Sequence, residues 1–420
     1  MTISLEETIN NLTRAARECS RTVARASAHL RTRAINAMAQ ELRQRIDLVL
    51  QANAEDLSQA ETNQLSAAMK DRLRLDQVRI ENLAIALEDI AAQRDPVGTS
   101  ARHWTQENGL EVHKVRLPLG VIMMIYESRP NVTLDAAALC LRSGNTVILR
   151  GGKEAFQTNQ VFGTLIADVL KSHGLPEYAV QLVPTTDRAA VPLLLQASDY
   201  IDLVIPRGGE SLIRSVVAQS RIPVVQHYQG ICHVYIDGEA DPVKAKAIAY
   251  NAKVQRPGVC NAMETLLIDK AIAEAILPEI VSELEEAGVE MRACLASLQI
   301  APNLRPASEA DWDTEFLDLV LAIRVVDGLE GAIAHIDEHG SNHTASIVTE
   351  NPVRAEQFLM EVDASCVLHN ASTRFNDGGE LGLGAEMGIS TTRIHAYGPM
   401  GVDALTTEKF VVRGKGHIRT

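Results

Sequence analysis

The chain lacks closely paired cysteines, long apolar runs and any excess of basic residues. Cys19, Cys140, Cys232, Cys260, Cys294 and Cys366 are widely scattered, with no C-x-x-C pair. That spacing excludes a zinc ribbon and a disulfide framework and predicts a reducing, cytoplasmic setting. Each thiol is then either a small core hydrophobe or a reactive group. The longest apolar runs, such as LGVIMMIY at 119–126, fall far short of the roughly 20 residues a membrane helix needs, so no membrane partner is expected. The opening MTISLEETINNLTRAARECS has neither the basic n-region nor the apolar h-region of a signal peptide, so export is not expected. Asp plus Glu outnumber Lys plus Arg by 54 to 40, a net charge of -14, which argues against nucleic acid as a partner. Basic residues gathered at one place in so acidic a chain would serve a purpose. Repeats and low-complexity tracts are absent as well.

What is present is an α/β pattern on a scale of 420 residues, which at roughly 150 residues per domain predicts two or three domains. Residues 4–92 are rich in Ala, Leu, Arg and Glu with apolar residues at helical spacing, a helical N-terminal layer. The pattern stops at DPVGTS (95–100), and Asn108-Gly109 between alternating flanks then signals a hairpin. From 121 onward short apolar runs alternate with helical stretches. Strands are expected at 121–127, 146–151, 179–183 and 200–206, with helices between them, on a parallel sheet. After residue 240 a helix near 241–253, a loop bearing Cys260, the strand METLLID and a helix near 271–287 begin a second α/β region. The tail from 372 is Gly-rich, with GGELGLGAEMG at 378–388, and predicts loops that approach a ligand or a neighbouring subunit.

Cys260 lies in QRPGVCNAMETLL after Pro257 and Gly258, in a loop between a helix and a strand. A Cys so placed is either an inert, partly buried thiol or a nucleophile, and the second role needs a cation, a base or a helix N-terminus near a thiol of ordinary pKa ~8.5. Arg256 is the nearest cation in sequence, with a solvated helix-end charge as the alternative. Two glycine pairs close predicted strands. Gly208 and Gly209 in PRGGES offer backbone N–H groups and a helix start to a pyrophosphate, or make an ordinary tight turn. LRGGKE at 149–154 is similar, and Arg150 or Lys153 there could hold an adenosine ribose or its 2'-phosphate, or lie at the surface as such residues usually do. HIDEH at 335–339 matches H-x-x-E-H formally, so His335, Glu338 and His339 are a rival zinc-hydrolase reading on a helix ending at Gly340.

Four long stretches resemble the gamma-glutamyl phosphate reductase family of the aldehyde dehydrogenase superfamily: RLPLGVIMMIYESRPNVTLDAAALCLRSGNTVILRGGKEA, YIDLVIPRGGESLI, QRPGVCNAMETLL and STRFNDGGELGLGAEMGISTTRIHAYGPMGVDALTTEKF. AIAHIDEHGSNHT resembles that family's signature segment too, which sets the zinc reading aside, and no metal site is expected. One departure is that His343-Thr344 is followed by Ala345 where the family commonly has an acid.

The resemblance implies an aldehyde-dehydrogenase-like α/β fold. It has a Rossmann-like cofactor domain (1–101 and 119–229), an α/β catalytic domain (230–388) and a small β oligomerisation element (102–118 and 389–420). It implies reduction of L-glutamyl 5-phosphate by NADPH to L-glutamate 5-semialdehyde and phosphate, a step towards proline. Cys260 is then the nucleophile that forms a thioester, and the Cys260 backbone N–H and the Asn131 side chain hold the oxyanion. Glu315 corresponds to the acid that contacts the nicotinamide ribose, while Arg129, Arg256, Arg374 and Arg393 are the candidates for the substrate's carboxylate and phosphate. Superfamily members that hydrolyse a thioester carry a glutamate base in an E-L-G-G-like turn; HYQGICH at 227–233 stands there without an acid. A homo-oligomer and functional contact with glutamate 5-kinase are the partners implied.

Overall fold

The computed structural model describes residues 4–419. They form two compact units. Unit 1 runs to Gln226 and also takes Leu383–Gly388 and the chain from Met400; unit 2 holds His227–Gly382 and Ile389–Pro399. The division at 226/227 falls three residues before the expected one. The stretch expected to be a single tail passes from one unit to the other and back.

Unit 1 opens with helices Leu5–Arg25, Ala28–Gln44, Ile46–Thr62, Ala67–Leu73 and Gln77–Ala92. Four start at a side chain that accepts a hydrogen bond from a first-turn N–H: Ser4, Ser27, Ser66 and Asp76. The apolar stripe of the first helix, Ile9, Leu12 and Ala16, enters one core with Val121, Met123, Ile125, Ile148 and Val204 of the sheet. Strands β1 (Ser100–Thr105) and β2 (Glu111–Pro118) form the antiparallel hairpin around Asn108-Gly109. Then β3 (Val121–Tyr126), β4 (Thr146–Arg150), β5 (Val180–Leu182) and β6 (Leu203–Arg207) make a parallel sheet in the order β5-β4-β3-β6. All residues of β3 and β4 are buried, as parallel strands covered on both faces require. β6 begins at Leu203 rather than at Tyr200 because the N–H groups of Tyr200 and Ile201 both donate to the Ala197 carbonyl, closing the preceding helical turn. The chain fills one side of β3 with β4 and β5 and returns to its other side with β6. The switch point of the sheet therefore lies between the carboxyl ends of β3 and β6.

Unit 2 is built on β7 (Cys232–Ile236), β8 (Met263–Asp269), β9 (Glu290–Ala293), β10 (Arg305–Pro306), β11 (Val320–Val326), β12 (Thr344–Val348) and β13 (Cys366–His369). All seven are parallel, in the order β10-β9-β11-β8-β7-β12-β13. Helices Pro242–Val254 and Lys270–Glu286 pack Ala249, Ala252, Ile276 and Ile280 against Leu266, Ile268 and Val234 of the sheet. β14 (Ile389–Ser390) pairs with β15 (Gly398–Pro399), and β16 (Thr406–Arg413) adds antiparallel to β2, giving the sheet β1-β2-β16 in unit 1. Two tail glycines make room for unit 1's own side chains: a Cβ at Gly384 would meet Gln93 and one at Gly388 would meet Arg207. No helix among the described residues is long and apolar enough to cross a membrane.

Candidate active site

In unit 2 the residues of interest lie at the amino edge of the parallel sheet. His227 and Gly230 precede β7, Cys260 precedes β8, Glu315 precedes β11 and His343 precedes β12. Cys260 is half-buried in the loop between helix Pro242–Val254 and β8. The turn holding His227 and Gly230 presses on it: a Cβ at Gly230 would lie 2.1 Å from the Cys260 carbonyl oxygen and 2.8 Å from its Cα. Only glycine lets that turn lie flat on the Cys260 backbone.

Cys232, the first residue of β7, donates its S–H to the Cys260 carbonyl oxygen at 3.1 Å. Burial pushes the Cys232 thiol well up, so it stays protonated and inert, and burial does the same to Cys140. His343 is buried, its Nδ1 lies 2.7 Å from Thr344 Oγ1 and its ring meets His227 edge to face at 5.6 Å. Burial, followed by the neighbouring His227, pushes His343 down to about 3, which keeps the imidazole neutral. Asn261, next to Cys260, donates to the Asn376 carbonyl at 2.9 Å, and Asn376 donates to Thr344 Oγ1 at 2.8 Å, tying the Cys260 loop to the start of β12.

Two of the expected arginines join this group. Arg374 Nε donates to Gln255 Oε1 at 2.8 Å, at the base of the Cys260 loop. Burial, then the charge of Arg256, pushes Arg374 down, against the opposing charge of Asp377 and of a thiolate at Cys260. Arg374, with Arg256 near enough to be felt by it, therefore sets a positive charge within reach of a thiolate at Cys260. Arg393 is engaged differently, in an exposed ion pair with Asp363. Glu315 is half-buried, and its charge is felt by Glu264 and Cys232, which puts it in electrostatic range of the Cys260 surroundings. Behind the loop, Lys253 Nζ and Glu264 Oε2 form a fully buried ion pair of 2.6 Å, and Glu264 also accepts from the Leu317 N–H at 3.2 Å. Burial pushes Glu264 up to about 7 and Lys253 down.

In unit 1 the remaining expected residues lie at the carboxyl edge of the sheet. Arg129 is exposed in the loop after β3, and Asn131 opens helix Asn131–Arg142 at the same switch point. Asn131 Nδ2 donates to Asp135 Oδ2 at 3.1 Å, which fixes the amide and leaves its second N–H for another acceptor. Burial lifts Asp135 to about 6. Gly208 and Gly209 follow β6 at the start of helix Glu210–Gln219. The Gly209 N–H is already taken, donating to Glu127 Oε2 at 3.0 Å, and a Cβ at Gly208 would meet the same carboxylate at 2.6 Å. A pyrophosphate would meet a carboxylate at that turn. Arg150 is buried and donates to the carbonyls of Gly151 and Thr186, whereas Lys153 is exposed one turn further on.

HIDEH forms the end of helix Gly328–His339, and His335, Glu338 and His339 are not among the described residues whose ligand atoms come together as a metal-holding group. His335 is buried against Trp312 and His233, with the Arg324 guanidinium 3.1 Å from its Nδ1, and His339 Nδ1 is bound to Asp313 at 2.9 Å. A guanidinium against the ring repels a cation.

The model of the aldehyde dehydrogenase family matches residues 2–307. The chain belongs to the aldehyde dehydrogenase family. Within it, the chain is 53% identical over 418 residues to the gamma-glutamyl phosphate reductase of Desulfatibacillum aliphaticivorans, covering 100% of both chains. The solved gamma-glutamyl phosphate reductase of Thermotoga maritima has 43% identity and a TM-score of 0.96, over 98% of this chain and 100% of that one. An acetylating aldehyde dehydrogenase of Geobacillus thermoglucosidasius, at 16% identity and a TM-score of 0.69 over 99% of this chain and 98% of that one, shares the fold. As an aldehyde dehydrogenase the chain is an oxidoreductase that works with a nicotinamide cofactor. His227, Gly230, His343 and Asp135 had no signal of their own in the sequence beyond lying within the family-like stretches or beside them.

Proposed function

We propose that the chain reduces L-glutamyl 5-phosphate with NADPH to L-glutamate 5-semialdehyde and phosphate, through a thioester on Cys260, as a cytoplasmic step of proline biosynthesis. The observation that carries the reading is a loop cysteine within electrostatic reach of Arg374, which Arg256 neighbours, in a chain whose full-length relatives bear that reductase's name.

Cys260 as thiolate attacks the acyl carbon, and the C–O bond breaks with its electrons leaving on phosphate. The Cys260 backbone N–H and the Asn131 side chain, held by Asp135, are the donors for the oxyanion; losing one such donor costs about 10²–10³ in rate. NADPH, when bound, supplies the hydride that reduces the acyl carbon. Proton loss from the resulting thiohemiacetal hydroxyl then breaks the C–S bond and returns the Cys260 thiolate. Arg256 and Arg374 receive the anionic ends of the substrate, with Arg129 as a further candidate and Arg393 the weakest because Asp363 already pairs with it.

Lys153 is the better cation for the adenosine 2'-phosphate, since the Arg150 guanidinium is occupied by backbone carbonyls. Gly208 and Gly209 serve the pyrophosphate only if Glu127 gives way, and Glu315 takes the nicotinamide ribose. Unit 1 is then the cofactor domain and unit 2 the catalytic one. Sheet β1-β2-β16, with exposed Phe410 and Val412 on an edge strand, is the contact surface for a second copy of the chain. Glutamate 5-kinase is the functional partner, because an acyl phosphate is labile.

Initial rates of NADP and NAD reduction with glutamate 5-semialdehyde, with and without inorganic phosphate, test the reading. NADP reduction that depends on phosphate is expected. Phosphate-independent turnover, or activity on unrelated aldehydes alone, refutes it.

A further inference from the structure

Three loops that precede β7, β8 and β12 bring His227, Cys260 and His343 together, so that one ligand-capable atom from each lies within 4.8 Å of the others. We propose that this trio binds a soft divalent cation of the zinc type and that its occupation switches the enzyme off by tying up the Cys260 sulfur. This is the one such grouping of His, Cys and carboxylates among the described residues, and it differs from HIDEH in sequence and place.

The ligand chemistry supports a metal. Two imidazoles and one thiolate are a tetrahedral zinc set with the fourth position left for water. With Zn–S of about 2.3 Å and Zn–N of about 2.0–2.1 Å, ligand atoms around a tetrahedral ion sit roughly 3.3–3.8 Å apart. Closing from within 4.8 Å takes about an ångström, shared by His227 and Cys260, both only half-buried.

His343 is the rigid member. It is 1% exposed, and its Nε2 is buried without a hydrogen-bond partner. Its Nδ1 is set by Thr344 Oγ1, and that oxygen also accepts from Asn376. An imidazole that gives its Nδ1–H to a fixed acceptor presents the Nε2 lone pair, the arrangement that orients metal-bound histidines. Binding exchanges the Cys260 S–H proton, released to solvent, for a sulfur–metal bond, with no change of oxidation state. The binding stands on this geometry alone, whereas the inhibition rests on Cys260 being the nucleophile.

The test uses the chelator-stripped full chain with Zn²⁺ alone, measured by competition with a chromophoric chelator, and with Co²⁺ as a spectroscopic substitute. One equivalent should bind, Co²⁺ should give a thiolate charge-transfer band, and reductase activity should fall with occupancy and return with EDTA. The band should vanish in Cys260→Ser, and Zn²⁺ affinity should drop at least about tenfold in His343→Asn and in His227→Asn. His227, half-buried, is the safer of the two for folding, which thermal melts check. No binding at tens of micromolar, or binding that Cys260→Ser and both histidine variants leave unchanged, overturns the site. Binding with the predicted variant dependence but undiminished activity overturns the switch and, separately, the nucleophile assignment.

Discussion

A methyl group at position 230 has nowhere to go. With its Cβ 2.1 Å from the Cys260 carbonyl oxygen, Gly230→Ala must push the Cys260 loop or the His227 turn aside. A misplacement of about 1 Å in an active site costs on the order of 10² in rate, so kcat should fall by that factor, and the forced backbone shift should lower the thermal midpoint as well. Near-parental kcat in a folded Gly230→Ala protein would show that the turn does not position Cys260. This residue also marks what the sequence could and could not tell. Pro257 and Gly258 around Cys260 announced a loop thiol, and Arg256 beside it announced a cation. His227, Gly230 and His343 are legible only through the family resemblance and not as neighbours of Cys260, because loops far apart in the chain assemble them and no spacing rule spans that distance. Arg393, read from its residue type alone, has an Asp363 partner that only the fold reveals.

At the level of elements, βαβ alternation made the strands of unit 1 legible and pointed to the carboxyl edge of its sheet, where Asn131, Lys153 and Gly209 are found. The same rule is silent on unit 2, whose Cys260 group gathers at the amino edge. What steadies that edge is the buried pair between Lys253, near the end of its helix, and Glu264 in β8, which bracket the Cys260 loop. Removing one member leaves an uncompensated buried charge, worth about 3–5 kcal/mol. Glu264→Ala should lower stability by that order in chemical denaturation, and Lys253→Met combined with Glu264→Leu should restore most of it. A loss under about 1 kcal/mol for Glu264→Ala would mean that Lys253 finds water or another acceptor.

For the whole molecule, the buried histidines set a response to acid. Burial first holds His233 down to about 4, His335 to about 2 and His343 to about 3. Between these values and the ordinary histidine range near 6.5, the unfolded chain binds protons that the folded chain refuses, so stability rises with pH through the window and is lost as pH falls. A single such histidine removes on the order of 2 kcal/mol by pH 5. His335→Gln should therefore show a shallower fall of Tm between pH 7 and pH 5 than the parent, and equal slopes would contradict the burial argument.

Covalent chemistry at Cys260 stands or falls on one comparison: phosphate-dependent NADP reduction by glutamate 5-semialdehyde in the intact chain and in Cys260→Ser. Turnover in the parent that disappears in the folded mutant is the predicted result. Full activity in Cys260→Ser would contradict the thioester mechanism.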